Sequence, residues 1–194
     1  MPGRNGTQPA QDSSSQPPGT NSLRLRTTRQ ELAHSGYTLR REQMLPLPVT
    51  QVFSFFADAS NLEVITPPWL HFRILAQEIP QSGAGALIDY WLRWRGLPIR
   101  WRSQITAWDP PDRFEDMQLV GPYRHWRHTH LFESAGQGTR MTDVVHYSLP
   151  FGLVGALAHR LVVASDLEAI FDFRAQRVAS LLCLGGSQAG RYRI

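Results

Sequence analysis

Six strand-like segments, most of them alternating apolar and polar side chains, separated by Gly- and Pro-rich turns and followed by one long helical stripe, leave few folds open to this chain. Side chains on a strand point to opposite faces with a period of two, so each such segment has one face to bury. The predicted strands are 70–78, 86–95, 97–108, 113–120, 124–133 and 140–149, with turns at Gly96, at 109–112, at 121–123 and at 134–138. After Pro150 the stripe Leu153, Leu157, Leu161, Ala164, Phe171, Val178 and Leu182, with Glu168 as its polar exception, marks a long helix with one buried face.

The part before the meander is equally ordered. Residues 37–47 read as a first strand closed by Pro46 and Pro48. Val49, Val52, Phe53 and Phe56 recur at i, i+3, i+4 and i+7, which is one face of a helix. Ser60 to Glu63 has the spacing of a capping box opening a second short helix, stopped by Pro67 and Pro68. A strand, two short helices, a strand meander and a long helix give an α+β domain with the helix laid across the sheet.

Charge narrows the function classes. The 194 residues carry a formal net charge of +4, and every basic residue is an arginine. Between Tyr37 and Cys183, 14 Arg face 14 Asp plus Glu, so the folded part is balanced and the surplus sits in the tails. Nucleic-acid domains concentrate charge on a folded face, so no nucleic-acid partner is expected. One cysteine, Cys183, excludes an intrachain disulfide and gives no zinc pattern. Residues 1–36, rich in Ser, Gln, Pro, Gly and Thr, are expected to be disordered, and 184–194 to form a flexible tail, which leaves 37–183 as the domain. With no apolar leader and no apolar run long enough to span a bilayer, a cytoplasmic location is expected.

The stretch LPLPVTQVFSFFAD from Leu45 to Asp58, then Asn61-Leu62 and Thr66 to Trp69, resembles the opening of the SRPBCC superfamily. This superfamily gathers START-like lipid carriers, polyketide cyclases and birch-pollen-allergen-like proteins. The turn from Trp108 to Phe114, and the strand with Gly121, Trp126, His128, His130 and Phe132, are similar to a bacterial cyclase/dehydrase-like group within it. The resemblance implies a helix-grip fold, a curved antiparallel sheet around a long C-terminal helix with an internal cavity, and supplies no universal catalytic motif.

Alternation assigns the cavity face. Tyr90, Leu92 and Trp94 share one face of their strand, and Trp101 and Ser103 match them across the Gly96 turn. Trp126 lies on the next inner face, Val145 and Tyr147 on the last, and Leu157 and Leu161 on the helix. These ten are the expected ligand-binding residues, for a small hydrophobic molecule of lipid or polyketide-aromatic type. The outer face interleaves Trp91 with arginines, the pattern of cation–π packing on a solvated surface.

The inner faces of the last two strands also carry His128, His130 and Asp143. In the simplest hairpin register Phe132 faces Met141, His130 faces Asp143 and His128 faces Val145. A buried carboxylate needs a partner, with His130 first and His128 second. A His–Asp pair on an apolar cavity suits a general base, so an enzyme of cyclase/dehydratase type is the alternative to a carrier, with His130, Asp143 and His128 as catalytic candidates. The same side chains are metal-ligand types, but a shared ion requires Asp116 to point inward as well. Phe114 favours that and Met117 and Leu119 oppose it, so no metal or other cofactor is expected.

Overall fold

The computed structural model describes residues 26–32, 36–80 and 83–185 of the chain, and side chains over 36–80 and 83–182. The eight strands are β1 (Arg26–Leu32), β2 (Gly36–Leu45), β3 (Arg73–Glu78), β4 (Leu87–Trp94), β5 (Leu97–Asp109), β6 (Arg113–Val120), β7 (His125–Ala135) and β8 (Gly138–Ser148). They form a single antiparallel sheet in the order β1-β2-β8-β7-β6-β5-β4-β3. Helices α1 (Val49–Ala57) and α2 (Asn61–Ile65) follow β2, and α3 (Gly152–Ala158), a π-helical turn (His159–Val163) and α4 (Ala164–Gly185) run on continuously after β8. This is the α+β helix-grip architecture.

Local chemistry explains the pieces. The β4–β5 hairpin closes through Arg95 and Gly96, both at positive φ (48° and 87°), the left-handed pair that a two-residue turn needs and that glycine supplies at no steric cost. Val52, Phe53 and Phe56 on the buried face of α1 pack with Leu45, Phe114, Phe132, Met141 and Val178 into one core cluster. Each such side chain contributes about 1.5–3 kcal/mol through its burial. Leu39, Val145, Tyr147, Val163, Leu167 and Phe171 make a second cluster under the start of α4. Gln43 donates to the Ala175 carbonyl at 2.8 Å, tying β2 to the helix.

Several expectations need correction. Residues 26–32, placed in a disordered tail, pair with β2 from Arg26↔Glu42 to Leu32↔Gly36. A composition too polar for a core can still satisfy its backbone on a sheet edge. Residues 1–25 lie outside the described residues. At the other end α4 runs through Gly185, two residues into the expected tail, and 186–194 again lie outside the described residues. The capping box does not form: Ser60 Oγ donates to Asp58 Oδ1 at 2.7 Å, and the Glu63 carboxylate accepts from the Ile74 amide at 2.8 Å.

The long helix carries the largest correction. Leu153, Leu157 and Leu161 are 90%, 58% and 67% exposed, whereas Val163, Ala164, Leu167, Phe171 and Val178 are buried. The π-helical turn adds a residue to one turn and shifts the phase of everything before it. A single stripe drawn across residues 153–182 is therefore right from Ala164 onward and faces outward before it. Among the described residues no helix is long and apolar enough to cross a membrane.

Candidate functional site

Between the inner face of the sheet and the α3–α4 rod lies a cavity of about 420 Å³. The strands deliver its wall by alternation: Ile88, Tyr90, Leu92 and Trp94 from β4, and Ile99, Trp101, Ser103 and Ile105 from β5. Phe114 and Asp116 come from β6, Trp126, His128 and His130 from β7, and Phe56, Tyr123, Leu167 and Phe171 close other sides. Six of the expected ligand-binding residues, Tyr90, Leu92, Trp94, Trp101, Ser103 and Trp126, are on this wall.

The other four are not. Val145 and Tyr147 have inward side chains, but α4 covers that end of β8, so they are core. Tyr147 is further engaged by its hydroxyl, 2.9 Å from His159 Nε2 in the π turn, and His159 in turn stacks on Tyr37 with ring centroids 3.4 Å apart. Leu157 and Leu161 face away from the sheet because of the phase shift. On that side Gly155, Ala158 and Val163 line the cavity in their place.

One part of the wall is polar. The β7–β8 ladder has Phe132↔Met141, His130↔Asp143 and His128↔Val145, the register expected from the sequence. His128 Nε2 lies 3.0 Å from Asp143 Oδ1 in a hydrogen bond. His130 Nδ1 is 2.8 Å from the same oxygen, but its N–H is not aimed along that contact and it makes no hydrogen bond among the described residues. Both rings are buried, and their centroids are 3.9 Å apart. Their other nitrogens converge on β6: His128 Nδ1 and His130 Nε2 are each 3.6 Å from Asp116 Oδ2. Asp116 is the cross-strand partner of His128, so the inward choice for Phe114 and Asp116 is the correct one. Donor atoms of Asp116, His128 and His130 all lie within 4.8 Å of one another, a spacing that suits a shared cation.

Ser103 organises the neighbouring wall. Its Oγ accepts from Trp101 Nε1 at 3.1 Å and donates to Asp116 Oδ1 at 3.4 Å. Burial pushes the Asp143 carboxyl up, but the Arg174 charge, the His128 hydrogen bond and the close His130 ring outweigh it and hold it well below the usual range. Asp116 follows the same pattern: burial raises it, and His130, His128 and Arg174 bring it below its ordinary value. Burial, then the neighbouring His130, lowers His128, against the pull of the two aspartates.

Arg174 is the functional candidate that sequence reasoning missed. It lines the cavity from α4 with its guanidinium 5.3 Å from the Phe56 ring centroid and 6.0 Å from that of Phe171. Its Nε is buried without a hydrogen-bond partner among the described residues. A signal existed: Arg174 is three residues after Phe171 and four before Val178, on the stripe that faces the sheet. Outside, the arginines behave as expected, with Arg93 over the Trp91 ring and Arg102 paired to Asp89 at 2.7 Å.

Residues 45–170 match the family described as polyketide cyclase / dehydrase and lipid transport. The chain belongs to this family. Its SRPBCC-type fold recurs in solved structures. The Zhui aromatase/cyclase from Streptomyces sp. R1128 aligns over 80% of this chain and 98% of its own, with a TM-score of 0.64 and 16% identity. The di-domain ARO/CYC StfQ from the steffimycin biosynthetic pathway aligns over 79% of this chain and 52% of its own, with a TM-score of 0.65 and 12% identity. Protein Ms6760 from Mycobacterium smegmatis aligns over 76% and 91%, with a TM-score of 0.57 and 22% identity. At these identities the likeness is one of fold. None of the curated proteins matches the chain. For this polyketide cyclase / dehydrase and lipid transport family member, chemistry must be argued from the cavity itself.

Proposed function

We propose that the protein binds a small, largely hydrophobic molecule, lipid-like or polyketide-aromatic, inside the sheet–helix cavity. The observation that carries this reading is the cavity: about 420 Å³, walled by aromatic side chains, with polar groups gathered on one side. Ligand sites typically enclose roughly 300–1,000 Å³ and combine an apolar lining with a few orienting polar groups. Tyr90, Leu92, Trp94, Trp101 and Trp126 would supply contact area, and Ser103 a hydroxyl for orientation. Native mass spectrometry of the purified protein tests this reading. A co-purifying hydrophobic molecule, displaced by an aromatic competitor, is the expected result. A chain that carries nothing and leaves its tryptophan emission unchanged by any polycyclic aromatic or fatty acid would end it.

A second reading, a cyclase or dehydratase, is favoured by one specific contact, the Asp143–His128 hydrogen bond at the cavity wall. There a carboxylate would orient an imidazole that removes a proton from an enolisable ligand. His130, closer to Asp143 in the ladder, is the alternative base. Turnover of a poly-β-ketone analogue by the wild type, falling about 10²–10⁴-fold in Asp143→Asn, is the expected outcome for an enzyme. Ligand binding without any turnover leaves the carrier reading alone.

A further inference from the structure

We infer that Asp116, His128 and His130 form a binding site for one first-row divalent transition metal ion, of which Zn²⁺ is the simplest case. Three independent features of the wall point there. First, the free nitrogens of two histidines at i and i+2 on β7 converge on one carboxylate oxygen, His128 Nδ1 and His130 Nε2 each 3.6 Å from Asp116 Oδ2. Metal–ligand bonds of about 2.0–2.2 Å place neighbouring donors about 3.0–3.6 Å apart. The Asp116–histidine spacings stand at that limit, and with all three donors within 4.8 Å of one another the two rings must draw together to close the set.

Second, the opposite nitrogen of His128 already has the support that a metal-binding histidine needs, and that of His130 lies beside the same carboxylate. Asp143 Oδ1 accepts from His128 Nε2 at 3.0 Å and stands 2.8 Å from His130 Nδ1. A carboxylate behind the imidazole fixes its tautomer and turns the other nitrogen toward the ion. Ser103 Oγ holds the second oxygen of Asp116 at 3.4 Å, which leaves Oδ2 for coordination.

Third, the access fits. Asp116 lies on the cavity wall with Phe114, Trp126, Phe171 and Arg174, and Asp143 stands behind the two rings with the buried Arg41 across the ladder from it. Two histidines and one carboxylate also leave coordination positions open, and the cavity lies beside Asp116, His128 and His130. An oxygen atom of a cavity ligand would be placed to complete the shell. The site stands whether or not the cavity carries the ligand proposed above, and it competes with the general-base reading, because a metal-bound imidazole has no free lone pair.

The test uses the full chain, stripped with a chelator and titrated with Zn²⁺ by calorimetry and with Co²⁺ by visible absorption. One equivalent per chain is expected, with Co²⁺ ligand-field bands and, by X-ray absorption, nitrogen and oxygen donors only. Asp116→Asn and His130→Gln should weaken binding at least about 100-fold, and Asp143→Asn, which removes only the support, about 10–100-fold. His146→Gln, on the outer face where the ring meets Thr38 Oγ1 at 2.9 Å, should leave it unchanged. X-ray absorption and Co²⁺ spectra on the wild type decide the matter even if a variant fails to fold. No stoichiometric binding by wild type, a thiolate charge-transfer band from Cys183, or full affinity in folded Asp116→Asn would each overturn the site. Native mass spectrometry with and without chelator separates this result from the ligand-binding one.

Discussion

His128 holds Asp143 by a 3.0 Å hydrogen bond, although the residue directly across the ladder from Asp143 is His130. A carboxylate between two inward rings spaced i and i+2 can reach the diagonal partner as well as the direct one. Asp143→Ala removes the acceptor of His128 and a charge opposite Arg174 in a buried place. The expected loss is about 3–5 kcal/mol of unfolding free energy, read from urea titration. Asp143→Asn keeps the shape and should lose less than half of that. Equal losses in the two variants would mean that the carboxylate charge alone, not the shape or the remaining hydrogen bond, carries the stability at this position.

The corrected helix phase gives a paired prediction. Phe171 is 5% exposed and touches the His128 ring edge-on, with centroids 5.5 Å apart, while Leu157 is 58% exposed. Phe171→Ala should therefore cost about 3–5 kcal/mol, as large-to-small changes in a tight core do. Leu157→Ala should stay within about 0.5 kcal/mol of wild type, as surface changes do. A large loss at Leu157 would show that the segment before the π turn buries that side chain.

These two positions also show what the sequence made legible. Strand faces were readable wherever apolar and polar residues alternate cleanly, which is why the β4–β5 lining and the β7–β8 register follow from period two alone. On β6 the pattern breaks, since Phe114 argued one way and Met117 and Leu119 the other, so Asp116 could not be placed. The structure resolves it because Asp116 pairs with His128. The π-helical turn leaves no mark in the apolar pattern, and Leu157 and Leu161 imitate an inner stripe. β1 was invisible for a different reason: an edge strand bonded through its backbone needs no apolar face. The core role of Val145 and Tyr147 depends on how far α4 overlaps β8, which alternation does not report.

Asp166 at the start of α4 gives a pH-dependent test. Its carboxylate accepts from Trp94 Nε1 at 2.7 Å and from Arg95 Nε at 2.8 Å, so it ties the tip of the β4–β5 hairpin to the helix. The hydrogen bond from Arg95 is the main cause of its lowered pKa, joined by the one from Trp94. A folded pKa below the unfolded value of about 3.9 means that the stabilisation is complete above that pH. It is then lost as the pH falls through the folded value. Arg95 is well exposed, so solvent screening keeps the effect small, about 1 kcal/mol at pH 7. Asp166→Asn should lower the thermal midpoint at pH 7, and the gap to wild type should shrink below pH 4. A gap that persists unchanged at pH 3 would assign the effect to lost packing instead of charge.

Arg174 supplies the last prediction, because it is the cavity's cationic group and sits between two aromatic rings. Its buried Nε has no hydrogen-bond partner among the described residues, and a ligand oxygen carrying negative charge would satisfy it. Methionine has a similar length and no charge, so Arg174→Met should keep the apolar volume while removing the donor. For an anionic probe such as 1-anilinonaphthalene-8-sulfonate, affinity should fall about 10–100-fold, the worth of one charge-assisted hydrogen bond. For a neutral polycyclic aromatic it should change little, since Trp101, Trp126 and Phe114 remain. Quenching of tryptophan emission reads both titrations on the same protein. If both probes weaken equally, Arg174 shapes the cavity without selecting charge; if neither weakens, the polar side of the ligand lies elsewhere on the wall.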